Sequence, residues 1–490
     1  MSQHINQQIK STGVAQVIVV LKSPGSAAAA APPAAATRAG ASAPKTGAAA
    51  GASPLAGLMK HFSSSELSIN SQLADAGHKR VAGLFNAGTS ASMKAGAVKK
   101  VTPPPPVQIY PNLGIMLGTV SRDGLSGLRS DDRVASVTGA PLFRPIWPER
   151  IAAAKMTTQV TWGISTLEVA RLWKEGLTGK NILVGHLDTG ADGKHPTLKA
   201  AIKHFAEFDS FGQIVSPTPK PFDTDEHGTH TAATIAGRPV GGKHVGVAHE
   251  AELASAIVIE GGNVIARVLG GMDWSLSRGV RILNMSLGFP GFLEDFIPIT
   301  QILRARGVLP VMAVGNEGPA TSRSPGNYAT VISVGAHDSN GVVADFSSSQ
   351  RFKRKKDPIV PDLVAPGVAT ISAKPGGGYQ EMDGTSMATP HMAGLAALLY
   401  QARPDATVAQ VERAIFRSCV RRPGMPLERG NRGIPNAVRA LRELTGINLA
   451  SGTKGKKVEV GGAGKKTTKK GAAKKGGKKR ASKKSASKKR

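Results

Sequence analysis

Cysteine is almost missing from this chain: Cys419 stands alone among 490 residues, so no intramolecular disulfide can form. That usage suits a reducing compartment. Cys419 itself reads as a small buried hydrophobe near a helix end rather than a reactive thiol, because no electropositive nucleophile context surrounds it in sequence. Long hydrophobic runs are missing too. No stretch approaches the ~20 apolar residues that a membrane helix needs, and the opening MSQHINQQIKSTGVAQV has no signal-peptide core. The expectation is a cytoplasmic protein without a membrane span. Acidic residues are the third shortage, 33 against 63 Lys and Arg for a net charge of +30. The imbalance is uneven, since residues 454–490 carry seventeen Lys or Arg against Glu459 alone, a net +16, and the body is only moderately basic.

What is present divides into regions by composition. AQVIVVLK at 15–22 reads as a strand, and 23–54 is an Ala, Pro, Gly and Ser insertion with almost nothing to bury. A helical pattern covers 55–86, with Leu55, Leu58, Met59 and Phe62 on one face. After the proline run at 103–106, VQIYPNLG and IMLGTVS read as strands, GLSGLRSDDR as a helix and VASVTG as a last strand. The order β-α-β-β-α-β predicts a small α+β ferredoxin-like domain ending near Gly139. From about 157 to 446, continuous apolar strands alternate with helices: NILVGHL, ELASAIVI, RILNMSL and LPVMAVG. Such strands predict an α/β fold with a mostly parallel sheet covered on both faces. Working residues in such sheets lie at the carboxyl ends of strands, where Asp188, Ser286 and Asn316 fall.

Peptide hydrolysis by a serine needs a hydroxyl, a base, an acceptor that holds the base in one tautomer, and donors for the developing oxyanion. GHLDTG supplies Asp188, and DEHGTHTAATIAG supplies His227 at a helix entrance. AVGNEG supplies the Asn316 amide, and GTSMATPHMAGLAALL puts Ser386 at a helix start, where free N–H groups and the helix dipole favour an anion. Pro390 in that helix removes only the bond to the Ser386 carbonyl. Chemistry alone does not choose between His227 and His230, three residues on. An H-x-x-H pair with Asp188 could also suggest a metal site, but it lacks the HExxH glutamate and would leave GTSMATP unexplained.

Together these segments resemble the subtilisin-like serine protease family, in the order Asp, His, Asn, Ser, over roughly 157–446. The resemblance implies a three-layer subtilisin-like fold and gives Asp188, His227, Ser386 and Asn316 the family's catalytic roles, leaving His230 a packed helix residue. It implies that Ser286, Leu287 and Gly288, and Ala313, Val314 and Gly315, bind the backbone of protein or peptide substrates as an added strand. The first domain resembles the propeptide that inhibits such enzymes. The expected division is an inhibitor-like domain at 1–156, including the insertion 23–54 and a linker at 140–156, then a peptidase domain at 157–446 and a disordered Lys-rich tail at 447–490. The family's calcium ligands are replaced here by Thr197, Arg238 and Lys243, so neither metal nor cofactor is expected. The acidic run Asp223, Asp225 and Glu226 reads as a solvated loop that raises the pKa of the base. A competing reading makes the chain a polyanion binder, with residues 454–490 contacting nucleic acid phosphates through lysines and no aromatic residue available for stacking.

Overall fold

The computed structural model describes residues 3–22, 55–63 and 107–449, except 210 and 260–262. The insertion, most of the 55–86 helical pattern and the segment 454–490 lie outside the described residues. In the first domain, β1 (Ala15–Leu21), β2 (Val107–Tyr110), β3 (Ile115–Val120) and β4 (Val134–Gly139) form one antiparallel sheet in the order β2-β3-β1-β4. Its three later strands fall where the sequence put them. The helix Arg122–Ser130 begins at Ser121, whose hydroxyl accepts from Gly124 N–H at 3.2 Å. A helix at Gln3–Thr12 was not expected; it buries Ile5 and Ile9 against β1.

The linker after Gly139 contributes two short strands, β5 (Arg144–Pro145) and β6 (Arg150–Ala154). The larger sheet follows with β7 (Leu183–Asp188), β8 (Ile202–Glu207), β9 (Glu252–Ile257) and β10 (Ile282–Met285). Then come β11 (Leu287–Pro290), β12 (Leu309–Ala313), β13 (Arg323–Ser324) and β14 (Ile332–His337). The small ribbon β15 (Gln350–Arg351) and β16 (Ile359–Val360) precedes β17 (Leu363–Pro366), β18 (Thr370–Ala373) and β19 (Tyr379–Asp383). Seven strands in the order β17-β14-β12-β10-β7-β9-β8 make an entirely parallel sheet. A core lies on each face. One packs the helices His227–Ala236 and Thr385–Ala402 against the sheet, and the other packs Val264–Ser277 and Ile297–Ala305.

The first domain docks on that second face. Asp273 accepts from Leu113 N–H and the Asn112 amide, both at 2.9 Å, Tyr110 donates to the Ala266 carbonyl, and Asp295 accepts from Gly139 N–H at 2.9 Å. Tyr110, Leu113, Ile115 and Leu117 join the core on that face. Among the described residues, no helix is long and apolar enough to cross a membrane.

Candidate active site

Asp188 is the last residue of β7, and His227 opens the helix His227–Ala236. Three side chains satisfy the first N–H groups of that helix: Asp225 takes His227 N–H at 3.1 Å, Thr189 takes Gly228 N–H at 2.9 Å and Asp223 takes Thr229 N–H at 2.5 Å. Gly228 permits the close approach, since a Cβ there would sit 2.1 Å from the Gly190 carbonyl oxygen. The helix thus abuts the turn after Asp188, and His227 Nδ1 lies 2.7 Å from Asp188 Oδ1, both buried. Burial by itself would lower the His227 pKa, but the carboxylates of Asp188, Asp225 and Asp223 overcome it and hold the imidazole above its ordinary value. Burial likewise works against the Asp188 carboxylate, yet His227 beside it holds its pKa below the usual range.

His230 sits in a different place. It is fully buried, its Nε2 bonds the Thr370 carbonyl at 2.9 Å, and burial pushes its pKa down to about 3. Geometry therefore pairs Asp188 with His227.

Ser386 is the second residue of the helix Thr385–Ala402. Pro390 leaves the Ser386 carbonyl without its helical donor, and the hydroxyl of buried Ser286 replaces it at 3.1 Å. Asn316, just past β12, is fixed through its Oδ1, which accepts from Thr385 N–H at 2.9 Å and the Thr385 hydroxyl at 2.8 Å. Its Nδ2 is thereby turned into the cleft. Gly384 keeps this corner open, since a Cβ there would lie 2.8 Å from Ser386 Oγ and 3.3 Å from Asn316 Nδ2. The Ser386 hydroxyl points to Met387 Sδ at 3.3 Å, and His227 Nε2 is buried without a hydrogen-bond partner among the described residues.

The linker occupies the cleft. Arg144 and Pro145 in β5 pair antiparallel with Gly288 and Leu287, and Ile146 N–H reaches the Ser286 carbonyl at 3.4 Å. The Trp147 carbonyl accepts from Asn316 Nδ2 at 2.9 Å, and the Trp147 ring stands edge-on to His227 with centroids 6.3 Å apart. Glu149 N–H then donates to the Asp383 carbonyl at 2.8 Å, and β6 continues antiparallel along β19. Ser286, Leu287 and Gly288 therefore face an extended strand. Ala313, Val314 and Gly315 are not paired with it: Val314 N–H and C=O bond to Val334 and Arg323, and the Gly315 carbonyl accepts from Ser348 and Thr385. The arrangement can hold a peptide carbonyl against an amide donor, beside a histidine whose tautomer a carboxylate fixes.

A model of the subtilase family matches residues 179–452. The chain belongs to the subtilase family. It is a serine endopeptidase. It is 37% identical to Subtilisin BL of Lederbergia lenta over 254 residues, which is 51% of this chain and 88% of that relative. It is 33% identical to Subtilisin E of Bacillus subtilis over 299 residues, 60% of this chain and 72% of that relative.

Against this subtilase frame, the acidic run departs from its expected character. Asp223 is no solvated loop residue: it takes hydrogen bonds from the Thr229 and Thr189 hydroxyls at 2.6 and 2.7 Å, and burial raises its pKa to about 7. Sequence reasoning missed His186, which bonds Ser255 and Thr231, the latter hydroxyl lying 3.2 Å from Asp188 Oδ2. A polar residue inside the apolar run NILVGHL was the available signal. In the segment where the resemblance led us to look for calcium ligands, Arg238 donates to the carbonyls of His249, Ala251 and Ala200, and Lys243 to that of Met156. Among the described residues, no group of three His, Cys, Asp or Glu is arranged to hold a metal ion.

Proposed function

We propose that this subtilase cuts peptide bonds through Ser386 as nucleophile, His227 as general base, Asp188 as the group that orients the histidine, and Asn316 as oxyanion donor, and that it is made as a self-inhibited zymogen. One observation carries the reading: the Asn316 amide holds a peptide carbonyl, that of Trp147, beside the Asp188–His227 pair. In the forward reaction Ser386 Oγ attacks such a carbonyl as His227 Nε2 takes its proton. The C–N bond then breaks, and the same proton passes to the leaving nitrogen. Water repeats the sequence on the acyl-enzyme. The first domain supports the zymogen reading because its contacts with Asp273 and Asp295 hold it on the enzyme while the linker fills the cleft.

Wild-type protein should cut itself between Phe143 and Gln159, whereas Ser386→Ala should stay full length; N-terminal sequencing of both preparations is the measurement. An active, stable wild type that retains residue 1 would rule out obligatory processing. A fluorophosphonate adduct should map to Ser386 in the same wild-type sample.

The raised pKa of His227 has a pH consequence. The base works as neutral imidazole, so a raised value keeps it protonated to higher pH, and kcat/KM should rise with pH through a midpoint above the ordinary 6.5. An acid limb centred below 6 would contradict the carboxylate environment. Polyanion binding by residues 454–490 rests on the sequence charge alone, and that segment is outside the described residues.

A further inference from the structure

The strand in the cleft identifies a contact beyond the catalytic groups. Counting from the carbonyl held by Asn316, the bond in the reactive position is Trp147–Pro148, and Arg150 is the third residue after it. Backbone pairing on that side is regular, with Asp383 opposite Arg150 and Glu381 opposite Ala152. The Arg150 guanidinium spans two carboxylates: its Nε lies 3.1 Å from Asp383 Oδ2, and its Nη2 is ion-paired with Glu381 Oε1. Asp383 is held from behind, since its Oδ1 accepts from Ala369 N–H at 2.6 Å, which leaves Oδ2 facing the cleft.

We infer that Glu381 and Asp383 form a subsite selecting an arginine at the third residue after the cleaved bond of a polypeptide substrate. The inference rests on the catalytic assignment above. A planar guanidinium matches the pair because it places one N–H donor on each carboxylate; a lysine ammonium at the end of a flexible stem does not reproduce that fork. An acidic residue at this position meets two like charges. The acids stand out on an otherwise basic chain, where a carboxylate pair repels acidic substrates and attracts basic ones.

The test uses four internally quenched peptides, identical except for Arg, Lys, Ala or Glu at the third position after the cut, with autoprocessed wild type and Glu381→Gln. In wild type, kcat/KM should follow Arg, Lys, Ala, Glu, with Arg about three- to tenfold above Ala, the range for a charge-assisted contact that is partly exposed to water. The Arg-to-Ala ratio should shrink as salt is raised. In Glu381→Gln it should fall towards one. Equal rates for the Arg and Ala peptides in wild type, or an Arg preference unchanged by Glu381→Gln, would overturn the subsite. Wild type that processes its linker but cuts none of the four peptides also overturns it. Protein that neither processes nor cuts overturns instead the catalytic assignment beneath it.

Discussion

Replacing Ser386 with alanine is expected to lower kcat for a peptide substrate by about 10⁶-fold, a size taken from the corresponding change in subtilisin itself and not from this geometry. The physical reason is that, in the proposed mechanism, the other groups act through the serine. Without its oxygen no acyl-enzyme forms, His227 has no proton to take, and the Asp188 carboxylate orients an imidazole that does no work. His227→Ala should be nearly as severe, and the double variant scarcely worse than either, because the groups function as a unit. Residual hydrolysis above the uncatalysed rate would come from substrate alignment and from Asn316. The measurement is steady-state turnover of Ser386→Ala on a fluorogenic peptide, with far-ultraviolet circular dichroism to show that the fold persists. Activity within tenfold of wild type would remove Ser386 from the mechanism.

Asn316→Ala should lower kcat by about 10²–10³ with KM little changed, again by the magnitude known for subtilisin. The reasoning is differential binding: a carbonyl oxygen gains negative charge as it becomes tetrahedral, so a fixed N–H donor contributes more in the transition state than in the bound substrate. The donor here is fixed, because two hydrogen bonds from Thr385 hold Asn316 Oδ1 and leave Nδ2 one direction to point. Thr385→Val should then produce a smaller loss of the same kind, since the main-chain N–H contact survives while the hydroxyl contact is lost. A kcat for Asn316→Ala within twofold of wild type would mean that the oxyanion is held by other groups.

The parallel sheet was legible because four of its strands are continuous apolar runs, and β7, β9, β10 and β12 lie within a few residues of their predicted places. Strand β8, IKHFAE, was not seen, because it mixes charge with apolar residues at an edge of the sheet. The helix Gln3–Thr12 escaped notice for a related reason: its apolar face consists of little more than Ile5 and Ile9. At the site, motifs of local sequence marked Asp188, His227, Asn316 and Ser386. Contacts between distant segments left no such mark. The Asp188–His227 pairing, which separates His227 from His230, spans 39 residues, and the Asn316–Thr385 bond spans 69. The linker was read only as a long connection. Its course through the cleft depends on partners at 286–288, 316 and 379–383, which nothing in RPIWPERIAAA announces.

The Ser286 hydroxyl that supports the Ser386 carbonyl belongs to the same residue whose own carbonyl meets the strand in the cleft. Between the strand in the cleft and the Ser386 peptide there is thus one residue and two hydrogen bonds. In mechanical terms the tolerance chain is as short as it can be: few joints intervene, and little positional error accumulates. Alignment of catalytic groups must hold to about 0.5 Å, and in the proposed mechanism the residue that gauges the substrate also braces the group that attacks it. In the proposed mechanism, a peptide seated out of register loses its contact with the very residue that supports the nucleophile.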